Sequence, residues 1–245
     1  MATIAFVIFF GCAIFGTYLK DLVPEQHLQD DSKHLIEISL GVIGTVAGLV
    51  LGLLVATSFG TFQAQRNAVI TMAAKIALLD RGLAYYGPEA APARQELKMT
   101  TARIIRDTWS TGQTSALDPT AAGGGARLYG FVQSLNAATD TQKSIKGTAL
   151  GLVVDVAQQR WLMYAQQAAG VSVALIGLLT FWFAITFLAF GLMTVRNPTT
   201  ITALALCALA IAGALYLIEQ LSTPFSGAIT VSDAPLRIVY SHLAQ

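Results

Sequence analysis

The chain has 245 residues, of which 54% are hydrophobic and only 12% charged, with a formal net charge of +1. Ordinary soluble domains carry roughly a quarter charged residues, so this composition excludes that class and indicates an integral membrane protein. The near-neutral balance gives no electrostatic footprint for a nucleic-acid partner.

Four apolar blocks run along the chain: Ala2 to Tyr18, Leu35 to Phe59, Ala168 to Val195 and Thr200 to Ile218. Each nears or exceeds the roughly 17 to 25 residues that a spanning helix needs. The fold class expected is therefore an all-α membrane protein with four transmembrane helices and a helical cytoplasmic insert between the second and third. The organisation predicted is 1–60 for the first helix pair, 61–167 for the insert, 168–220 for the second pair and 221–245 for a C-terminal return segment.

The first block has no basic residue before it and no small-x-small cleavage site after it, so it reads as an anchor rather than a signal peptide. "FFGC", ending at Cys12, lacks the basic leader of a lipoprotein signal. Cys12 and Cys207 both fall inside apolar blocks, which argues against a disulfide framework or a zinc site. In "HLQDDSKHLIE", helical spacing puts His27, Asp31 and His34 on one face with Glu37 a turn further on, a set that can hold a divalent cation. The simpler reading is a solvated helix start capped by Asp30, Asp31 or Ser32. No metal and no cofactor are assigned.

The second block carries a small residue at every fourth position: Gly44, Gly48, Gly52, Ala56 and Gly60. Lipid offers little hydrophobic drive for helix association, so small residues that let backbones approach read as a helix-packing stripe. The opposite face holds Ile43, Val50, Leu54, Thr57 and Thr61, spaced by seven, four, three and four. In a ring of subunits these would line a narrow apolar neck opening to hydroxyls, a known gating device. The same face could equally meet lipid or the first helix.

Beyond the second block, Phe62, Val69, Met72, Ile76, Leu79 and Leu83 recur at steps of three, four or seven, so the helix continues into the insert. Further helices are predicted in "ARQELKMTTARIIRDTW" and "TDTQKSIKGTALGLVVDVAQQRWLMYAQQ", with "DPTAAGGGARL" as a flexible connector. Its glycines follow no strand and precede no Lys-Ser/Thr pair, so a phosphate loop is not indicated. There is likewise no G-x-S-x-G and no H-E-x-x-H, and no enzyme activity is expected. Glu219, at the end of the fourth block, reads as an interfacial residue rather than a buried proton carrier.

Eleven of the fifteen Lys and Arg lie in the insert, with Arg66 and Arg160 close to the membrane ends. By the positive-inside rule the insert and both termini face the cytoplasm. After the fourth block, Pro224 ends the helix, Gly227 permits a turn, and Ser232 or Asp233 can cap a short final helix with Pro235 in its first turn. Phe225 is the expected wedge against the bundle.

"LAFGLMTVRNPTTITALALCALAIAGALYLIEQLSTPFSGAITVSDAPL" resembles the closing segment of the bestrophin-like domain family of bacterial integral membrane proteins. The resemblance is carried by Arg196 and Asn197 between two apolar helices, Cys207-Ala208-Leu209, Pro224-Phe225-Ser226-Gly227, and Ser232 before Ala234-Pro235-Leu236. The second helix with "QRNAV" and Arg81 is similar too, and the likeness thins between about Thr111 and Asp140. Members often carry Glu and Asn before the position of Arg81. Here that stretch reads "ITMAAKIALLDR", so no role tied to those groups is carried over. The resemblance implies kinship with bestrophins, oligomeric anion channels with four membrane helices per subunit and a long cytoplasmic helical section after the second.

Two functions are therefore expected. The first is an oligomeric ion channel of the bacterial inner membrane, a homo-oligomer and by analogy a pentamer, with the lipid bilayer and an inorganic ion as partners and anions preferred by resemblance. The acidic Asp30, Asp31 and Glu37 at the outer mouth work against that preference. The second is a non-conducting scaffold whose cytoplasmic helices recruit a partner. Topology is directly testable. In cells with an intact inner membrane and with Cys12 and Cys207 replaced, a cysteine introduced at Gln29 reacts with an impermeant thiol reagent and one at Gly124 does not. Labelling of Gly124 alone would invert the orientation.

Overall fold

A computed structural model describes residues 2–21, 30–110, 124–168, 172–194 and 196–243. It is helical throughout: α1 (Ala2–Leu19), α2 (Asp30–Tyr86), α3 (Ala91–Ser110), α4 (Gly124–Gln133), α5 (Asp140–Ala168), α6 (Val173–Met193), α7 (Pro198–Ser222) and α8 (Ala234–His242). Among the described residues there is no strand. Four helices are long and apolar enough to cross a membrane, lying within α1, α2, α6 and α7. The chain divides into two compact units, residues 1–60 with 171–222 and residues 61–170 with 223–245.

The first unit is held together by α1 and α6. On α1 the buried residues Ala5, Phe9, Ala13, Gly16 and Thr17 form one stripe at steps of three and four. Leu179, Phe183 and Phe187 form its counterpart on α6. Phe9 stacks on Phe187 with centroids 5.7 Å apart and meets the edge of Phe183 at 5.9 Å. Near the far end, Gly16 lies against the backbone of Leu188 and Gly191. Contacts thus advance together along both sequences, so α1 and α6 run parallel. On α7, Leu204, Ala208, Ala212, Leu215 and Ile218 close the same core.

In the second unit, the part of α2 from Thr61 onward contributes Val69, Met72, Ile76, Leu79 and Leu83, none more than 1% exposed. Against this stripe pack Leu97 and Ile104 of α3, Leu128 and Val132 of α4, and Ala149, Val153 and Met163 of α5. Gly87, at φ 125°, ends α2 in a left-handed conformation that a side chain would strain. A single 3-10 turn at Pro88–Ala90 then leads into α3.

The start of α5 is a capping box. Gln142 N–H donates to Thr139 Oγ1 at 3.1 Å, while Gln142 Oε1 accepts the N–H of Thr139 at 3.2 Å. Part of the connector expected in "DPTAAGGGARL" is helical instead, since Gly124 and Gly125 open α4. Leu128 and Val132, a helical turn apart and fully covered, supply the packing that outweighs glycine's poor propensity.

Ion pairs fix the second unit's helices in register. Arg94 grips the Asp80 carboxylate with both Nε and Nη2, at 2.8 and 2.9 Å. That hydrogen bond raises the Arg94 pKa above its ordinary value, with the Asp80 charge adding to the effect and burial opposing it. The raised Arg94 pKa contributes stability that is constant through neutral pH and fades only in strong alkali, as the guanidinium loses its proton.

The α1–α6 crossing makes a sharp prediction. A Cβ on Gly16 would sit 2.2 Å from the Leu188 carbonyl oxygen, and one on Gly191 would sit 2.1 Å from that of Ala13, whereas one on Gly11 would meet nothing within 4 Å. Overpacking a core typically costs about 1 to 3 kcal/mol, and here the obstacle is backbone rather than a side chain that can turn aside. Gly16→Ala and Gly191→Ala should therefore lower the thermal unfolding midpoint in detergent. Gly11→Ala should leave it level or raise it, since alanine is the better helix former by about 1 kcal/mol.

Candidate functional site

Along its membrane segment α2 shows two different faces. Toward its own unit it places Leu40, Ala47, Leu54 and Ser58, all at most 7% exposed, with Val50, Leu51 and Val55 packed partly against the same core. Away from that core stand Val42, Leu49 and Leu53, which are 60 to 70% exposed. Beside them the small residues Gly48, Gly52 and Ala56 are also exposed. A side-chain carbon built on Gly44, Gly48, Gly52 or Gly60 would touch nothing within 4 Å. The glycines that do admit a neighbouring backbone inside the unit are Gly16 and Gly191, on other helices.

The residues expected to form a neck are thus distributed unevenly. Leu54 lies in the protomer's own core, Val50 and Ile43 are half-buried, Thr57 is exposed with its hydroxyl donating to Leu53 O at 2.8 Å, and Thr61 is half-buried at the start of the second unit. This corrects the placement of Leu54 on an open face. A shift of one residue, about 100° around a helix, converts Ile43, Val50 and Leu54 into Val42, Leu49 and Leu53, the trio that is exposed. Spacing fixes which residues share a face. It does not say which of two apolar faces meets the rest of the protomer.

The Arg196-Asn197 pair ties three membrane helices at one end. Arg196 donates through Nε to the Thr17 carbonyl at 3.1 Å, one of the last-turn carbonyls of α1 that lack an intrahelical partner. Its Nη2 reaches Asp21 Oδ2 at 2.9 Å, and its guanidinium lies 4.3 Å from the centroid of the Tyr18 ring. In return, Lys20 Nζ donates to the carbonyl of Thr194, the residue closing α6, at 3.2 Å. Positive charge at a helix C-terminus is favourable, and here each of two parallel helices is capped from beside the other. Asn197 Oδ1 accepts the Thr200 N–H at 2.8 Å and so starts α7.

The return segment is ordered in the second unit. Val231 N–H donates to Pro224 O at 2.7 Å, closing a loop in which Gly227 takes φ 106° and Ser226 N–H bonds the Thr223 carbonyl at 3.1 Å. Phe225 is 5% exposed and packs edge-on against Trp109 at 5.4 Å. Trp109 Nε1 donates to Val231 O at 2.7 Å. Sequence reasoning did not single out Trp109. The signal available was a lone Trp at the end of an amphipathic helix, one spot where an aromatic anchor is unremarkable.

His34 and Glu37 are exposed near the start of α2, while His27 and the side chain of Asp31 lie outside the described residues. Among the described residues no three His, Cys, Asp or Glu side chains come together. Glu219 is half-buried near the end of α7.

The two faces of α2 separate two substitutions. Leu54→Ser empties a core position and buries a hydroxyl, so it should cost about 2 to 5 kcal/mol and lower the midpoint of thermal unfolding in detergent. Leu53→Ser, one residue away on the open face, should leave the protomer's midpoint nearly unchanged.

A family model for the bestrophin-like domain matches residues 7–236. No curated protein is significantly similar to the chain in sequence. Among solved structures, one of a bacterial bestrophin homologue from Klebsiella pneumoniae is 15% identical with a TM-score of 0.71, covering 98% of this chain and 96% of its own. Another of that homologue has 15% identity and a TM-score of 0.68, with 96% and 95% covered. A third, described only as a membrane protein, has 15% identity and a TM-score of 0.70, with 98% and 96% covered. At this identity the likeness is one of fold. With the family model spanning nearly the whole chain, the protein belongs to the bestrophin-like domain family.

Proposed function

We propose that the protein is an oligomeric ion channel of the bacterial inner membrane, with α2 lining the path and anions preferred. The observation that carries this reading is the outward face of α2. Only 17% of its apolar window is buried within the protomer, against 28% for each of the other three spans. One edge of that face is smooth, formed by Gly48, Gly52 and Ala56. The other is a row of aliphatic side chains, Val42, Leu49 and Leu53. In a ring, the small edge admits the neighbouring subunit and the aliphatic row forms a narrow dewetting neck, with Thr57 beside it as the first hydroxyl.

Orientation follows from charge and from the parallel run of α1 and α6. With one crossing by α2 between them, the N-terminus and residues 61–170 would share a side, and the basic excess there supports the cytoplasm as that side. The preference for anions rests on family kinship, and the pentamer on the same analogy.

The test is ion flux from liposomes reconstituted with purified protein, beside the oligomer's mass in detergent. The parent should conduct, chloride faster than potassium. Leu53→Ser should hydrate the neck and raise flux at unchanged mass. Gly52→Leu should dissociate or disorder the oligomer, since four added heavy atoms would meet the neighbouring backbone. A parent that is oligomeric but silent to both ions would overturn the channel reading and leave the scaffold. Parental mass for both Gly52→Leu and Gly48→Leu would remove the small edge as the subunit contact.

A further inference from the structure

The second unit holds a partly open cavity of about 280 Å3 between α2, α3, α4 and α5. Its walls are apolar, formed chiefly by Leu79, Leu97 and Val153, and its polar lining comes from Thr100, Thr101 and Arg160. Those three polar residues are no more than 8% exposed. A largely nonpolar hollow whose lining includes a buried cation and two hydroxyls is not what a packing defect looks like, because genuinely empty cavities are apolar.

We propose that this cavity binds a small amphipathic carboxylate, an aliphatic acid of about eight carbons in all. Three features select that chemistry. The volume sets the size, since at about 30 Å3 per water-sized group the space holds roughly nine such groups. The aliphatic walls set the body, because burying each CH2 contributes about 0.8 kcal/mol. Arg160 sets the head. A guanidinium stays charged at any ordinary pH and carries five donors in a planar fork, so it can hold a carboxylate alongside whatever else it contacts.

The nearby acidic residues have arginine partners of their own. Glu96, one turn before Thr100, is engaged by Arg127 at 3.1 Å and Arg103 at 3.6 Å, neither of which lines the cavity. Asp80 is likewise matched by Arg94. Thr101 donates its one hydroxyl proton to Leu97 O at 2.8 Å, so it shapes the wall and leaves the carboxylate to Arg160 and Thr100. Thr100 donates to Glu96 at 3.5 Å, a long contact that a closer acceptor would displace.

The experiment is isothermal titration of the full chain in zwitterionic nanodiscs with sodium octanoate, with empty nanodiscs titrated in parallel to remove lipid partition. The parent should show one saturable site per protomer, and octanol, with the same chain and no charge, should bind at least about tenfold more weakly. Arg160→Met should weaken octanoate by a similar factor while leaving octanol unchanged. Ala157→Phe, which fills the cavity from its α5 wall, should abolish binding of both. The parent comparison needs no variant to fold. Absence of a saturable site above empty nanodiscs, equal affinity for octanol and octanoate, or parental octanoate affinity in a folded Ala157→Phe would each overturn the proposal.

Discussion

The membrane unit depends on two backbones meeting at Gly16 and Gly191. In water, two apolar helices associate because their surfaces leave solvent. In lipid that gain is nearly absent, and what remains is close packing and the hydrogen bonds it brings within reach. At this crossing neither helix has room for a single methyl group. Closeness there lets Phe9 stack on Phe187 further along and brings the two helix ends side by side. The ends of α1 and α6 carry carbonyls that have no partner in their own helix, and at the membrane edge Arg196 and Lys20 supply donors to them. One steric fact thus sets helix direction, aromatic contact and capping together.

Helix α2 solves a different problem. It is a single helix of 57 residues that belongs to a lipid-embedded unit for its first half and to a polar unit for its second. In the polar half one stripe is covered by α3, α4 and α5, and the other side can stay polar because water solvates it. In the membrane half both sides are apolar, so the uncovered side has no chemical mark except the size of its side chains. The small and large residues there sort onto adjacent edges, which is the geometry a ring needs: one edge to be approached and one to project.

The polar unit pairs the acids it buries with arginines. Asp80 and Glu96 are both nearly covered, and each is met by arginine from another segment of the unit, Glu96 also by Arg103 two turns along its own helix. Losing one member of such a pair strands the other, so these arginines hold α2, α3 and α4 in a fixed relation. The C-terminal segment adds to the same frame, with Trp109 bonded to Val231 O and Lys98 to Leu243 O. A frame that is satisfied at this many points can surround a cavity without collapsing into it.

The sequence by itself determined the membrane class, the four spans, the continuation of α2 past the bilayer and the break at "RNPTT". Each of these is written in local quantities: the length of an apolar run, a period of 3.6, a proline beside a capping Asn. It also drew attention to the glycines of α2, because their regularity is visible along the chain. Only the tertiary structure decided which glycines are pressed against a backbone. Gly16 and Gly191 are isolated in sequence and 175 residues apart, and nothing local distinguishes them from Gly11. It likewise decided that Leu54 turns inward and Leu53 outward. In a soluble helix the polar side would have settled that choice in advance. In a bilayer both sides are greasy, and the orientation is fixed by the neighbours that happen to pack there.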